Sequence, residues 1–168
     1  DQVGTPSILK TRRFGYDGKG QLKLKSASQA KDIWKDSSAK DLILERFVNF
    51  SREFSVIGSR SKDGQISCFD PGENVHKEGI LRTTTVPANL TVQQKTEAIL
   101  ITAKILESLN YVGVIGIEFF LEKNSLVINE FAPRVHNSGH WTQNGCTVDQ
   151  FEQHIRAITG LKLGNAER

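Results

Sequence analysis

Two apolar stretches separated by a short polar segment constrain the fold of this chain more than any other feature. Residues 111–121 and 125–131 are rich in β-branched and aromatic side chains, and the residues between them are typical of a turn. The pattern predicts a β-hairpin centred on Asn124. In a hairpin that is symmetric about this residue, the pairs on one face are Glu118 with Glu130, Phe120 with Ile128, and Glu122 with Leu126.

The pairing of two glutamates has a chemical consequence. Apolar residues on the other face of each strand predict that both faces are buried, so Glu118 and Glu130 would meet in the interior. Like charges directly opposite each other are unfavourable, and an unpaired buried carboxylate is costly. A cation is therefore expected between them. Mg²⁺ suits carboxylate, phosphate and water ligands, and a salt bridge from each glutamate to Arg or Lys is the alternative.

A glycine-rich segment at residues 15–21 (GYDGKGQ) is a second candidate site. Its glycines allow backbone amides to approach phosphate oxygens closely, and Lys19 and Lys10 add positive charge. No Gly-Lys-Ser/Thr follows, and the segment lies between two predicted strands, so neither the P-loop nor the dinucleotide-binding fingerprint fits. An ordinary flexible hairpin is the alternative.

Residues 129–141 (NEFAPRVHNSGHW) continue from the second strand of the hairpin into a polar loop. These residues include donor-bearing side chains with no evident place in a core: Arg134, His136, Asn137, His140 and Trp141. A solvated loop would carry more Lys and Asp and fewer His and Trp. The segment therefore predicts an anion-binding site beside the metal.

Other local signals place helices and turns. Thr91 and Gln94 form a capping-box pattern that predicts a helix over about 92–109, with Ile99, Ala103 and Leu106 in its buried stripe. The pattern of the remaining chain predicts strands at about 6–10, 22–25 and 53–57, and a buried strand at 42–48. It also predicts a turn at 62–64 and a closing helix over 148–159 that ends at Gly160.

Composition excludes several functional classes. The 168 residues are 38% hydrophobic, which is enough for one globular domain, and the net charge of +3 does not favour nucleic acid. Cys68 and Cys146 lack metal-ligand spacing, so free thiols in a reducing cytoplasm are expected. No apolar run approaches the roughly 20 residues that cross a bilayer, so no membrane span is expected.

Three motifs together resemble a known family. Residues 9–21, residues 45–48 with Glu53, and residues 128–142 closely resemble the N5-carboxyaminoimidazole ribonucleotide synthetases, which are ATP-grasp ligases of purine biosynthesis. The resemblance implies an α+β, ATP-grasp fold of antiparallel sheets with packed helices, truncated at both ends relative to the full enzyme. It also implies a lid-like subdomain over about 1–60 with the phosphate loop, and a larger one over about 61–168 with the metal hairpin.

The resemblance further implies the ligand contacts. Lys10 and residues 15–21 would hold the ATP phosphates, residues 45–48 the adenine edge and Glu53 the ribose, with His76 and Asn129 also near the nucleotide. The implied cofactor-binding residues are Lys10, Gly15, Tyr16, Asp17, Gly18, Lys19, Gly20, Gln21, Glu45, Arg46, Phe47, Val48, Glu53, His76, Asn129 and Glu130. The implied metal ligands are Glu118 and Glu130, for Mg²⁺ or alternatively Mn²⁺.

The implied reaction joins bicarbonate to 5-aminoimidazole ribonucleotide at the expense of ATP, through carboxyphosphate. Arg134 and His136 would bind bicarbonate or carboxyphosphate, and Tyr16 and Asp17 would position the aminoimidazole, so the implied catalytic residues are Arg134, His136 and Asp17. The full-length enzyme is expected to be a cytoplasmic homodimer, and this chain alone to turn over weakly or not at all. The alternatives are another ATP-grasp carboxylase or formyl-phosphate ligase, and a non-catalytic Mg·ATP-binding fragment.

Overall fold

The computed structural model describes residues 3–13, 20–30 and 41–168. The chain divides into two compact units, the first comprising Asp1–Asn49 with His76–Ile80 and the second comprising Phe50–Val75 with Leu81–Arg168. The subdomain boundary expected near residue 60 from the sequence stays a prediction. Each unit is described by itself below.

The first unit contains a three-stranded antiparallel sheet. Its strands are β1 (Ser7–Thr11), β2 (Gln21–Leu24) and β3 (Leu42–Arg46), in the order β2-β1-β3. The predicted strands on either side of the glycine-rich segment are therefore confirmed. A strand is present at Leu42–Arg46, but the expectation that it is buried is wrong, because β3 lies at the edge of the sheet formed by the described residues and Ile43 is 40% exposed.

The second unit is built on a larger sheet. Its strands are β4 (Arg52–Arg60), β5 (Ile66–Cys68), β6 (Gly72–Lys77), β7 (Ile80–Thr85), β8 (Gly113–Glu122) and β9 (Ser125–Ala132). The strand order is β7-β6-β4-β8-β9, and β5 pairs with β4. β4 and β8 are central and almost wholly buried, and β8 has the mostly apolar sequence typical of a strand covered on both faces. Among the described strands, β9 lies at the edge of this sheet.

The β8–β9 hairpin differs from the symmetric one in its register. Glu122 pairs with Ser125 across a two-residue turn, which the positive φ of 57° at Lys123 accommodates. A register shift then leaves one extra residue on β9, and only beyond it does Glu118 face Glu130. The Glu118–Glu130 pair is confirmed, but the pairs Phe120–Ile128 and Glu122–Leu126 are wrong, because the turn centre and the β-bulge offset each other.

The two predicted helices are present. Helix α1 (Val92–Ser108) has the expected capping box at Thr91, although its buried residues are Ala98, Thr102 and Leu106, a stripe rotated from the predicted one. A 3-10 turn (Asn137–Gly139) and the short α2 (Thr142–Gly145) lead to α3 (Gln150–Thr159), which ends at Gly160 as predicted, with φ of 83°. Within the described ranges, no helix has the length and apolar character to cross a membrane.

Candidate active site

A β-bulge on β9 places two side chains against one carboxylate. Glu118 pairs with Glu130 while the next residue of β8, Phe119, pairs with Ile128, so Asn129 is the unpaired residue of the bulge. Its Nδ2 donates to Glu118 Oε2 at 3.4 Å. A bulge redirects a side chain that a regular strand would point to the opposite face. Asn129 and Glu130 therefore both lie opposite the same residue of β8, Glu118.

The two paired glutamates differ in burial. Glu118 is only 7% exposed, but Glu130 is exposed, and its neighbour Phe131 is 49% exposed. The prediction that both faces of the hairpin are buried is therefore wrong for β9, because no further strand covers this edge of the sheet among the described residues. Glu118 alone carries the desolvation cost that the sequence argument assigned to the pair.

A third carboxylate lies beside Glu118. Glu53 on β4 pairs with Phe120, two residues along β8 from Glu118, and the carboxylate oxygens of Glu53 and Glu118 lie within 4.8 Å of each other. Sequence reasoning gave Glu53 a ribose contact and missed this proximity, which depends on the register of two strands distant in sequence. Two carboxylates so close favour a cation.

His136 also faces Glu118. It is 6% exposed, and its Nε2 lies 3.7 Å from Glu118 Oε1. The approach depends on Gly116 of β8, where an added Cβ would lie 2.7 Å from His136 Cβ. The structure thus brings together Glu118, Asn129 and His136, three residues that the sequence analysis placed in one site.

Beyond His136, buried polar side chains continue the contacts. His136 Nδ1 lies 2.8 Å from Ser138 Oγ, Ser55 Oγ donates to Ser138 Oγ at 2.7 Å, and Asn74 Nδ2 donates to Ser55 Oγ at 3.1 Å. Sequence reasoning did not identify Ser55, Asn74 or Ser138. The available signal was weak: Ser55 interrupts the apolar run of a strand that is buried on both faces.

Gln150 holds the loop that carries His136. This fully buried side chain accepts from His136 N at 2.9 Å and donates to His136 O at 2.7 Å. Its own backbone N donates to Thr142 Oγ1 at 3.1 Å. The loop is therefore fixed from the first turn of α3, which the Asp149 side chain caps.

The other donors of the 134–141 loop have different environments. Arg134 is exposed and donates from Nη1 to Val135 O at 2.9 Å. His140 is exposed and stacks on Phe151, and Trp141 packs edge-on against Phe69 at 6.4 Å between ring centroids. Trp141 lies beside a core cluster. The expectation that these donors have no core role is wrong for Trp141, whose indole is a packing group.

In the first unit, two predicted nucleotide ligands contact each other. Lys10 Nζ lies 2.8 Å from Glu45 Oε2, because β1 pairs Lys10 with Ile43 and a diagonal neighbour two residues away shares the same face. Lys23 Nζ lies 3.6 Å above the Phe47 ring, and Phe47 N donates to Pro6 O at 3.1 Å.

The remaining predicted ligands are only partly described. Gly20 (φ of 78°) directly precedes β2, which begins at Gln21. Arg46 is the last residue of β3, and Val48 lies two residues beyond it. His76 is half-buried on β6. The predicted ligands that lie outside the described residues are Gly15, Tyr16, Asp17, Gly18 and Lys19.

The ATP-grasp domain family matches residues 1–151. The chain belongs to the ATP-grasp family. The antiparallel sheets with packed helices are the fold expected for it, so the predicted fold class is confirmed.

Named relatives refine the comparison for this ATP-grasp chain. It is 53% identical to an N5-carboxyaminoimidazole ribonucleotide synthase of Brucella melitensis over 169 aligned residues, which cover 99% of the chain and 47% of the relative. The crystal structure of an ADP complex of N5-carboxyaminoimidazole ribonucleotide synthetase has a TM-score of 0.90 and 42% identity, over 99% of the chain and 44% of that structure.

A third similar structure holds two ligands. The structure of the Aspergillus clavatus N5-carboxyaminoimidazole synthase, in complex with ADP and 5-aminoimidazole ribonucleotide, has a TM-score of 0.87 and 28% identity, over 99% of the chain and 43% of that structure. The resemblance stated from the three motifs is thus confirmed. The ATP-grasp chain spans less than half the length of these relatives.

Proposed function

We propose that this chain is the ATP-grasp portion of an enzyme that carboxylates 5-aminoimidazole ribonucleotide with bicarbonate and ATP. The products are N5-carboxyaminoimidazole ribonucleotide, ADP and phosphate, in the cytoplasmic synthesis of purines. The observation that carries the proposal is Glu118, a buried carboxylate with Asn129 and Glu130 facing it across the β-bulge. The similarity to synthases of this name supports the substrate assignment.

The donor set fits Mg²⁺. Glu118 and Glu130 supply hard carboxylate oxygens from facing strands, and these two ligands suit Mn²⁺ equally. The Glu53 carboxylate, within 4.8 Å of Glu118, adds negative charge beside the site. When bound, the ion offsets negative charge on the phosphate oxygens. Asn129 orients the Glu118 carboxylate and leaves its own amide oxygen available to a ligand.

Other residues would bind the nucleotide. Lys10 and residues 15–21 hold the ATP phosphates in this proposal, residues 45–48 bind the adenine edge, Glu53 binds the ribose hydroxyls, and His76 lies near the nucleotide. The Lys10–Glu45 ion pair holds both side chains on one face of the sheet, where each can exchange part of its contact for a ligand.

Bicarbonate is a weak electrophile, so the proposed reaction first converts it to carboxyphosphate. An oxygen of bicarbonate attacks the γ-phosphorus as the bond to ADP breaks, and the resulting carboxyphosphate separates into CO₂ and phosphate beside the amine of the aminoimidazole. The amine nitrogen then attacks the CO₂ carbon and loses a proton to the released phosphate, which gives the N5-carboxy product. Arg134 is exposed, so its guanidinium is accessible to an anion, and His136 orients Glu118 from the buried side. Tyr16 and Asp17 position the amine. Confining CO₂ beside the amine supplies most of the rate enhancement of the carboxylation step.

Calorimetry with Mg·ATP tests the metal site. The variant Glu118→Gln with Glu130→Gln keeps the shape of both side chains and removes both charges, so binding of Mg·ATP should weaken by roughly tenfold or more. Glu122→Gln is the matched control, because it removes one charge from the same hairpin away from the bulge. Unchanged binding by the double variant would contradict the site.

A chimera tests the substrate. This chain would replace the corresponding segment of the Brucella melitensis synthase, to which it is 53% identical. We expect ADP release that depends on both bicarbonate and 5-aminoimidazole ribonucleotide. Release that depends on a different amine or acid would indicate another ATP-grasp carboxylase or formyl-phosphate ligase, and binding without release would indicate a nucleotide-binding fragment. Gel filtration of the active chimera tests the predicted homodimer.

A further inference from the structure

A line of buried polar side chains runs from Glu118 through the interior of the second unit. It passes from His136 to Ser138, Ser55 and Asn74, none of which is more than 6% exposed, and ends where Thr84 Oγ1 donates to Asn74 Oδ1 at 3.0 Å. Apart from His136, none of these residues has a role in the proposed reaction. Buried polar groups in a core are costly unless each is hydrogen-bonded, and here each is bonded to the next.

Counting protons gives the line a direction. Thr84 donates to Asn74 Oδ1, which orients the amide so that Nδ2 donates to Ser55 Oγ at 3.1 Å. A serine hydroxyl has one proton, and that of Ser55 is donated to Ser138 Oγ at 2.7 Å. The single proton of Ser138 is then left for its other neighbour, His136 Nδ1, at 2.8 Å.

Two contacts at His136 agree with this direction. The backbone N of Ser138 also points at His136 Nδ1, at 3.4 Å, so two donors face this nitrogen. The other ring nitrogen, Nε2, faces a Glu118 carboxylate oxygen at 3.7 Å. An ionised carboxylate has acceptor atoms only, and therefore favours a ring nitrogen that carries a proton.

We propose that Thr84, Asn74, Ser55 and Ser138 fix His136 in the tautomer that carries its proton on Nε2, and so keep an N–H directed at Glu118. These residues are positioning residues, because they act on Glu118 only through the His136 ring. The tautomer follows from the hydrogen-bond order alone. Its consequence for metal binding rests on the proposed function, in which Glu118 is a metal ligand.

The consequence is an effect on the geometry of the carboxylate. With the proton on Nε2, His136 attracts Glu118 Oε1, while Asn129 holds Oε2 from the opposite strand. With the proton on Nδ1, a ring lone pair would face the carboxylate and repel it. Partners that orient a ligating carboxylate change metal affinity without touching the ion.

Removing one distant hydroxyl tests the proposal. Ser55→Ala changes a side chain bonded to neither His136 nor Glu118, but it leaves Ser138 free either to donate to Nδ1 or to accept from it. Two-bond ¹H–¹⁵N correlation spectra of the imidazole rings distinguish the two tautomers, and His136→Gln identifies the His136 signals. We expect one Nε2–H form in the unaltered chain and a mixture in Ser55→Ala.

Ser59→Ala is the matched control. Ser59 is also a fully buried serine of β4, but its hydroxyl donates to Ser67 O at 3.0 Å, outside the line. This variant should retain the single Nε2–H form, and a mixture here would overturn the assignment to the line. An Nδ1–H form in the unaltered chain, or a single Nε2–H form in Ser55→Ala, would overturn the proposal as well.

Metal affinity provides the second measurement. Paramagnetic resonance of Mn²⁺ in the presence of ATP should show affinity weakened by roughly tenfold or less in Ser55→Ala, and unchanged in Ser59→Ala. If the unaltered chain binds no Mn²⁺ with ATP, the proposed function fails, while the ring spectra still decide the tautomer. If Mn²⁺ binds but the tautomer of Ser55→Ala is unchanged, the proposed function stands and this inference fails.

Discussion

Asn129 donates from Nδ2 to Glu118 Oε2 at 3.4 Å from the unpaired position of a β-bulge. In a regular strand, Asn129 and Glu130 would point to opposite faces of the sheet. The bulge lets both act on one residue of the neighbouring strand. A β-bulge beside a candidate metal ligand is a positioning device, and its contribution can be measured separately from the charge of Glu130.

Asn129→Ala should weaken metal binding more than it weakens the fold. The 3.4 Å hydrogen bond is long and half-buried, so we expect the free energy of unfolding to fall by about 1 kcal/mol or less. Mn²⁺ affinity in the presence of ATP should fall by roughly tenfold because the Glu118 carboxylate loses a fixed partner. Asn124→Ala, in the turn of the same hairpin, is the control and should leave the affinity unchanged.

The sequence predicted contacts between residues that are close along the chain better than contacts between residues that are far apart along it. The Glu118–Glu130 pair was predictable because one turn determines it, although two register errors offset each other to give the correct answer. The exposure of Glu130 was not predictable, because it depends on which strand lies at the edge of the sheet. Nor was the Glu53–Glu118 proximity, because it requires the register between strands about 65 residues apart, which local patterns do not determine.

Asp70 should stabilise the fold in a pH-dependent way. Its burial raises the pKa of the carboxyl group, but hydrogen bonds from Lys95 and Arg168 outweigh this, so the pKa lies below the ordinary aspartate value. A lowered pKa in the folded state means stability that is present above the unfolded-state pKa and lost as pH falls through the folded-state value.

The measurement is chemical denaturation of Asp70→Asn across acidic pH. At pH 7, the variant should be less stable by up to about 1 kcal/mol, and the difference should vanish at low pH. Lys95→Gln removes one of the two cationic partners of Asp70. In that background, the loss of stability caused by Asp70→Asn at pH 7 should be smaller. A difference that grows as pH falls would contradict the assignment.

Cys68 should resist thiol reagents in the native state. Burial raises the pKa of its thiol to about 12, so about one molecule in 10⁴ carries the reactive thiolate at pH 8. In a Cys146→Ser background, which leaves Cys68 as the single thiol, modification by a disulfide reagent should be slow until denaturant is added. Fast modification of the folded protein would show that Cys68 is accessible.

Gln150 and Gln153 provide a matched pair on one helix. Both are fully buried, but Gln150 binds the backbone of His136, whereas Gln153 binds Gly164 N and O at 2.8 and 3.0 Å. Replacing either by Leu leaves backbone groups without partners, so each variant should lose roughly 2 kcal/mol or more of stability. Thermal denaturation measures this common effect.

Ligand binding should distinguish the two variants. Gln150→Leu releases the loop that carries His136, so binding of Mg·ATP should weaken by roughly tenfold and the ring signals of His136 should broaden or shift. Gln153→Leu, equally destabilised, should keep both properties of the unaltered chain at a temperature where each variant is folded. Equal losses of binding in the two variants would indicate that general destabilisation, rather than the position of His136, governs the site.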